Sequence, residues 1–196
     1  VRLEGGALWA DVLVSRARAL DRAGEWEESV ELYDRALALT PWRATYHQFR
    51  GEAFYNLARA LPDGETELRD DLLQIADRSL ARARKLEPLD VEHYSNGGIL
   101  HAYWSQAVDR SHLETAVAFY RRAFRLAPTR AELRIDLAQV YHDHARYEDA
   151  LAQYQAALKI DPQSAAAHHG SGLAWQALGR PELARQAFRA ALGQGP

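Results

Sequence analysis

Residues 131–162 read AELRIDLAQVYHDHARYEDALAQYQAALKIDP, and residues 165–196 read AAAHHGSGLAWQALGRPELARQAFRAALGQGP. Set in register, Leu137, Ala138, Tyr141, Ala145, Ala150, Tyr154, Ala157 and Pro162 fall on Ser171, Gly172, Trp175, Gly179, Ala184, Phe188, Ala191 and Pro196, each pair 34 residues apart. That period is too long for one helix and suits two short antiparallel helices with their turns, the unit of a helical solenoid. Leu137, Ala138 and Tyr141 share one helical face at i, i+1, i+4, and Ala150, Tyr154 and Ala157 share another at i, i+4, i+7. Small residues set against each other, Ala138 or Gly172 opposite Ala150 or Ala184, let two helix axes approach until Tyr154 or Phe188 fills the gap. The proline then ends the second helix and turns the chain into the next unit.

Working outward, the same phase lands on Pro128, preceded by the stripe Ala116, Tyr120 and Ala123. Pro88 lies 40 residues before Pro128 and Pro41 lies 47 before Pro88, so six and thirteen extra residues sit inside those units. The thirteen fall around Leu57 to Leu68, where Pro62-Asp63-Gly64 is a turn signal between helix-compatible flanks, so both helices are expected to be longer by one to two turns. The six fall near Ser105 to Ser111, and Tyr103 and Trp104 are expected to pack on the extended unit. Asp90, Ser111 and Pro181 suit helix starts. The first unit has Leu13, Ala17 and Leu20 on one helix, Gly24 in its turn, and Tyr33 and Ala36 on the other. Val1 to Trp9, with Gly5-Gly6, read as a linker or the tail of a preceding element. The expectation is an all-α chain of about five helix pairs, two of them lengthened, with units at about 10–43, 44–90, 91–130, 131–164 and 165–196.

This pattern resembles the tetratricopeptide repeat, carried on nearly the whole chain from Ala10 by the spaced small, aromatic and proline positions above. The resemblance implies a right-handed superhelix, an α-solenoid, whose first helices line a concave groove for a peptide or protein. Carried onto this sequence, groove positions are Gln48, Glu52 and Tyr55; Glu92, Ser95, Asn96 and Ile99; Glu132, Ile135, Asp136, Gln139 and His142; and Ala166, His169 and Leu173. Such a surface is acidic with apolar spots and suits a basic or amphipathic segment better than an acidic tail. The chaperone-binding subfamily grips a terminal carboxylate with lysine, arginine and asparagine. Asn96 matches one clamp position, but Gln48, Glu52, Glu132 and Asp136 stand at the others, which argues against such a clamp. A second resemblance, on Leu86-Glu-Pro-Leu-Asp-Val-Glu-His-Tyr-Ser-Asn, Tyr103-Trp104 and Leu126-Ala-Pro, is to the repeat tails of bacterial O-antigen ligase or polymerase-like membrane proteins. It implies a partner-recruiting tail whose catalytic residues lie elsewhere in the parent protein.

Composition narrows the chemistry. The net charge is −3, which argues against a nucleic-acid footprint, and there is no cysteine for disulfides, thiol catalysis or cysteine-based metal sites. Of the 24 basic residues only Lys85 and Lys159 are lysine, which with few asparagines fits a GC-rich genome. No apolar run approaches the roughly 18 residues of a spanning helix, so direct membrane contact is not expected of this segment. A chain that begins at Val1 and lacks methionine reads as part of a longer protein, and its compartment stays open. His142-Asp143-His144 and His168-His169 invite a metal reading, but His142 and His144 lie about 200° apart around a helix and share one ion poorly. Arginines on the second helices (Arg78, Arg82, Arg84; Arg121, Arg122, Arg125; Arg185, Arg189) read as a solvated face laced with ion pairs. No nucleophile elbow, phosphate-cradling glycine loop or HExxH occurs, so neither a cofactor nor a catalytic residue is expected. An apolar surface of Leu173, Leu178 and Leu183 on the last pair invites self-association.

Overall fold

The structure, a computed structural model, describes residues 2–193, with side chains from Gly5 onward. Pro196, assigned above to the end of the last unit, lies outside them. The described residues form ten α-helices in five consecutive pairs and no strand. They are α1 (Arg2–Ala23), α2 (Trp26–Leu39), α3 (Ala44–Ala60), α4 (Thr66–Leu86), α5 (Val91–Ala107), α6 (His112–Leu126), α7 (Ala131–Asp143), α8 (Tyr147–Leu158), α9 (Ala165–Ala177) and α10 (Pro181–Ala191). Among them none is long and apolar enough to cross a membrane. The chain divides into two compact units, residues 1–116 and 117–196, with the division inside α6.

In the first unit α1 packs on α2, α2 on α3, α3 on α4 and α4 on α5. One face of each helix is apolar, and these faces meet in a core of Leu13, Val14 and Ala17 from α1, Tyr33 and Ala36 from α2, Ala53 and Phe54 from α3, Leu73, Ala76 and Leu80 from α4, and Leu100 and Trp104 from α5. Residues 2–9, read above as a linker or the tail of a preceding element, are helical and form the first turns of α1. Two glycines in a helix forfeit only about 1 kcal/mol each against alanine, which does not stop a helix that continues into a packed stripe.

The thirteen extra residues of the second pair are helical, but not evenly shared. Helix α3 has 17 residues against 13 in α7, one added turn, while α4 has 21 against 12 in α8, two and a half. Pro62 removes the helical option for Leu61 and halts α3 early, whereas nothing interrupts α4 before Pro88. The turn between them is held by Arg69. Its buried guanidinium donates to the carbonyls of Ala58 at 3.2 Å and of Leu61 and Pro62 at 2.9 Å, capping the open C-terminal end of α3. Gly64, with φ +97°, makes the reversal a side chain would resist. The third pair also begins with a lengthened helix, 17 residues in α5. Its extra turn carries Tyr103 edge-on to Tyr55 at 5.6 Å, and Trp104, whose Nε1 donates to Asp70 of α4 at 2.7 Å. Asp90 caps α5 by accepting from the Glu92 N–H at 2.8 Å.

In the second unit α7 packs on α8, α8 on α9, α9 on α10, and α7 also reaches α9. The second-helix stripe is fully packed on α8, where Ala150, Tyr154 and Ala157 are at most 1% exposed, and partly on α10, where Ala184 is buried and Phe188 and Ala191 are half-buried. Phe188 sits so close to α9 that a Cβ on Gly172 would fall within the space of its ring, and a Cβ on Gly170 would meet the Tyr154 ring in the same way. The glycines are what allow α8 and α10 to close on α9. In the α1–α2, α7–α8 and α9–α10 turns a left-handed residue stands two positions before the second helix. Gly24 (φ +80°) and Gly179 (φ +69°) supply it, and in the α7–α8 turn Ala145 takes it at φ +58°. Pro181 occupies the first turn of α10.

Candidate functional site

Within each unit the first helices of successive pairs neighbour one another, α3 beside α5 and α7 beside α9, and their polar residues make the candidate surface. In the first unit α1, α3 and α5 contribute. The centre is Glu52 on α3, a mostly buried carboxylate whose Oε1 accepts from Gln48 Nε2, one turn earlier, and from Asn96 Nδ2 on α5, both at 2.8 Å. Burial raises its pKa, and the bonds from Gln48 and Asn96 together with the charge of Arg18 hold that rise back. Sequence position alone brings Gln48, Glu52 and Asn96 to one surface, and the structure joins them.

Helix α1 adds groups that the sequence reading missed. Asp21 accepts from the Tyr33 hydroxyl at 2.5 Å through Oδ2, while its Oδ1 is buried with no hydrogen-bond partner. The Tyr33 hydroxyl is pushed far above its ordinary range by burial and by the Asp21 carboxylate. Arg18 lies 4.1 Å above the Phe49 ring. Asp11 accepts from the Tyr46 hydroxyl, and burial with that bond pushes Tyr46 up to about 12. No periodicity marks these groups. The available signal was a carboxylate recurring among the polar positions of α1, at Asp11 and Asp21.

The other residues assigned from sequence in this unit divide. Tyr55 is half-buried against Tyr103, with Arg59 5.5 Å over its ring, and Ile99 and Glu92 are exposed. Ser95 is a correction: at 5% exposure it is packed within the fold, on a helix whose small residues Gly97, Gly98, Ala102 and Ser105 are buried as well.

On the second unit α7 presents Glu132 (exposed), Ile135 and Asp136 (half-buried) and Gln139 (exposed). Burial raises the Asp136 pKa; Arg130 opposes the rise and the like charge of Glu132, one turn away, adds to it. Gln139 donates to Asp143 at 2.6 Å and accepts from the buried Tyr154 hydroxyl at 3.3 Å. His142 stands edge-on to Tyr147 and His169 lies tilted on Phe188, with centroids 5.3 and 5.5 Å apart. His144 Nδ1 lies 2.8 Å from the Val140 carbonyl and His168 Nε2 lies 3.0 Å from that of Pro162, so these histidines meet backbone and rings instead of one another. Ala166 is exposed and Leu173 half-buried. Leu178 is half-buried as well, and Leu183 is the exposed member of the expected apolar trio. Leu183 borders a hollow of about 500 Å³ whose other walls include Leu151, Leu158, Trp175 and Ala187.

A family model of the TPR repeat matches residues 146–179, the α8 to α9 segment with its proline turn. Solved structures extend the likeness over the chain. A crystal structure of MamA shares 20% identity, covers 91% of this chain and 93% of its own, and superposes with a TM-score of 0.69. The fold is that of the tetratricopeptide repeat. MamA 41-end from Desulfovibrio magneticus RS-1 gives a TM-score of 0.72 at 17% identity, covering 94% of each chain. YrrB, described as a TPR protein with an unusual peptide-binding site, gives 0.60 at 18% identity, over 93% of this chain and 84% of its own. No curated protein sequence matches the chain. Within the tetratricopeptide architecture Glu52, Asn96 and Asp136 belong to the first helices and the Arg-rich faces to the second, and Asn96, the residue at a matching clamp position, donates to Glu52.

Proposed function

We propose that this tetratricopeptide-repeat protein is a non-catalytic interaction module, and that the face of its first helices binds a basic or amphipathic segment of a protein partner. One observation carries the preference for a basic segment: the Glu52 carboxylate is mostly buried beside Asp21, whose like charge adds to the rise in its pKa. A lysine or arginine from a partner offsets the repulsion between the two carboxylates. Glu132 beside Asp136 repeats the chemistry on the second unit, where two carboxylates one turn apart repel until a cation lies between them. That a solved neighbour, YrrB, is described as having a peptide-binding site supports the class of ligand.

The test is fluorescence anisotropy with labelled peptides of three kinds, basic, basic amphipathic and acidic, against the wild-type chain and a Glu52→Lys/Glu132→Lys/Asp136→Lys variant. The wild type is expected to bind the first two and the variant to lose them while gaining the acidic one. Equal binding of all three peptides by both proteins refutes the assignment. Self-association belongs to the same reading: a second copy would cover the hollow beside Leu183, and sedimentation of wild type against Leu183→Glu tests it, a concentration-dependent dimer in the first and a monomer in the second being expected. The reading as the tail of a membrane enzyme rests on sequence resemblance and is decided by whether several apolar stretches of about 20 residues occur in the full reading frame.

A further inference from the structure

Between the second and third pairs the chain reads Glu87-Pro-Leu-Asp90-Val-Glu-His93. His93 sits five residues beyond the turn proline. The same position after Pro41, Pro128 and Pro162 holds Tyr46, Leu133 and Ala167, all buried, so the fold asks there for a packing residue and not for an imidazole. His93 is 1% exposed, and neither of its ring nitrogens has a hydrogen-bond partner. Two unmet nitrogens in a core position carry a penalty that apolar side chains at the equivalent positions avoid.

The imidazole nevertheless points at something. Its Nε2 lies 3.6 Å from Glu87 Oε2 and 3.8 Å from Asp90 Oδ2, and the three atoms all lie within 4.8 Å of one another. These separations are too long for direct hydrogen bonds. They are close to those of ligands around one ion, since tetrahedral bonds of about 2.0–2.2 Å place neighbouring ligand atoms about 3.3–3.6 Å apart. The backbone fixes two of the three. Asp90 is the N-cap of α5 and uses Oδ1 to accept from the Glu92 N–H, which leaves Oδ2 turned toward His93. Glu87 ends α4, and its backbone N–H bonds to Ala83. The side chains of Glu87 and Asp90 are 54% and 38% exposed, so an ion can enter from solvent while His93 holds it from the protein side.

We propose that Glu87, Asp90 and His93 form a binding site for one divalent transition-metal ion of the zinc class, clipping the end of α4 to the start of α5. Two carboxylates neutralise the ion's charge, and the imidazole selects a borderline metal over Mg²⁺ or Ca²⁺, which take oxygen ligands in larger number. The remaining coordination position faces solvent and is open to water or to a donor from a bound partner.

The experiment is calorimetric titration of the full chain with ZnCl₂, and in parallel with MgCl₂, for the wild type, His93→Leu and Glu87→Gln. Leucine is buried at the matching position, Leu133, so His93→Leu is compatible with the fold, and Glu87 is exposed enough for its variant to fold in any case. The wild type is expected to bind one more equivalent of Zn²⁺ than His93→Leu, with affinity at least tenfold weaker in Glu87→Gln and no measurable heat from Mg²⁺. Any weaker sites at the surface histidines appear equally in all three proteins and cancel. Identical Zn²⁺ isotherms for wild type and both variants overturn the proposal, and so does Mg²⁺ binding as tightly as Zn²⁺, which would mark only an exposed acidic pair.

Discussion

Alanine at Gly170 and at Gly172, two positions apart on α9, separates two kinds of close approach. In each case alanine gains about 0.8–1 kcal/mol of helix propensity. Against that stands the methyl group, which at Gly170 meets the Tyr154 ring of α8 and at Gly172 meets the Phe188 ring of α10. Phe188 is half-buried on the last helix and can rotate toward solvent, so the overpacking of about 1–3 kcal/mol is partly relieved and Gly172→Ala is expected to lie between neutral and about 2 kcal/mol destabilising. Tyr154 has no such exit. It is 1% exposed and its hydroxyl bonds to Gln139 Oε1 at 3.3 Å, so moving the ring exposes aromatic surface and strands the hydroxyl. Gly170→Ala should therefore be worse by about 2 kcal/mol, or about 4–8 °C in thermal midpoint for a chain of this size.

Circular dichroism melts give the order, and hydrogen exchange at α8 and α9 amides shows where it arises, since repeat arrays open in parts. Gly5→Ala, where nothing lies within 4 Å of the added carbon, serves as the control and should not destabilise. Combining Gly170→Ala with Tyr154→Leu should recover part of the loss, because the shorter side chain vacates the ring position. A Gly170→Ala protein as stable as wild type, or less affected than Gly172→Ala, would refute the view that these glycines exist for helix approach.

Arg69→Ala should destabilise by about 3 kcal/mol, since three carbonyls lose a charged donor, and Arg69→Lys should recover little because one ammonium cannot span them; thermal melts and exchange protection of the 61–65 turn check both. Ala145→Gly relieves a left-handed alanine in the α7–α8 turn and should raise stability by about 1 kcal/mol, whereas Gly24→Ala in the equivalent turn should lower it by a similar amount, both read by urea unfolding. In an alkaline spectrophotometric titration Tyr33, Tyr46, Tyr55 and Tyr154 should resist ionisation after the ordinary phenols have titrated, with Tyr46 and Tyr154 ionising near 12. Their folded values exceed the unfolded value near 10, so the stability they lend is complete below pH 10 and drains away as pH rises through the folded values. Asp136→Asn tests the opposite balance. Burial raises the Asp136 carboxyl in the folded state, so its ionisation works against folding at neutral pH, and the amide should raise the thermal midpoint at pH 7 and lose that advantage below the ordinary carboxylate range.

The fold was legible because its determinants recur. An alanine or aromatic that must be buried in one pair must be buried at the same offset in the next, so Ala116, Tyr120 and Ala123 announce themselves once Ala150, Tyr154 and Ala157 are recognised, and all six are at most 2% exposed. Even the long second pair was legible in total, because proline spacing counts residues. How the surplus divides between α3 and α4 was not, since that depends on Pro62 stopping one helix while Arg69 makes the early stop tolerable. Gly170 was missed for a related reason: it faces Tyr154 of the preceding pair, and a register drawn within one repeat sees only the partner in the same repeat, as it did for Gly172 and α10.

The candidate surface obeys different rules. Glu52, taken alone, is an ordinary helix-surface glutamate. It becomes a mostly buried carboxylate only because Asn96, 44 positions later, arrives on the next first helix and because Arg18 and Asp21 arrive on the one before. The repeat phase carries Asn96 to the surface, but no period carries the polar identities of Arg18, Asp21 and Asn96 that make them neighbours of one carboxylate. The same holds for His93, whose oddity is visible only after Tyr46, Leu133 and Ala167 are seen to be buried at the matching position. In a repeat protein a residue that breaks the repeat serves either a local departure of the fold, as Arg69 does, or something beyond folding. His93 is the buried polar group of the second kind: with two unpaired ring nitrogens it leaves the fold less stable than an apolar residue would unless something binds there, whereas half-buried Asp21 still serves the fold by accepting from the Tyr33 hydroxyl.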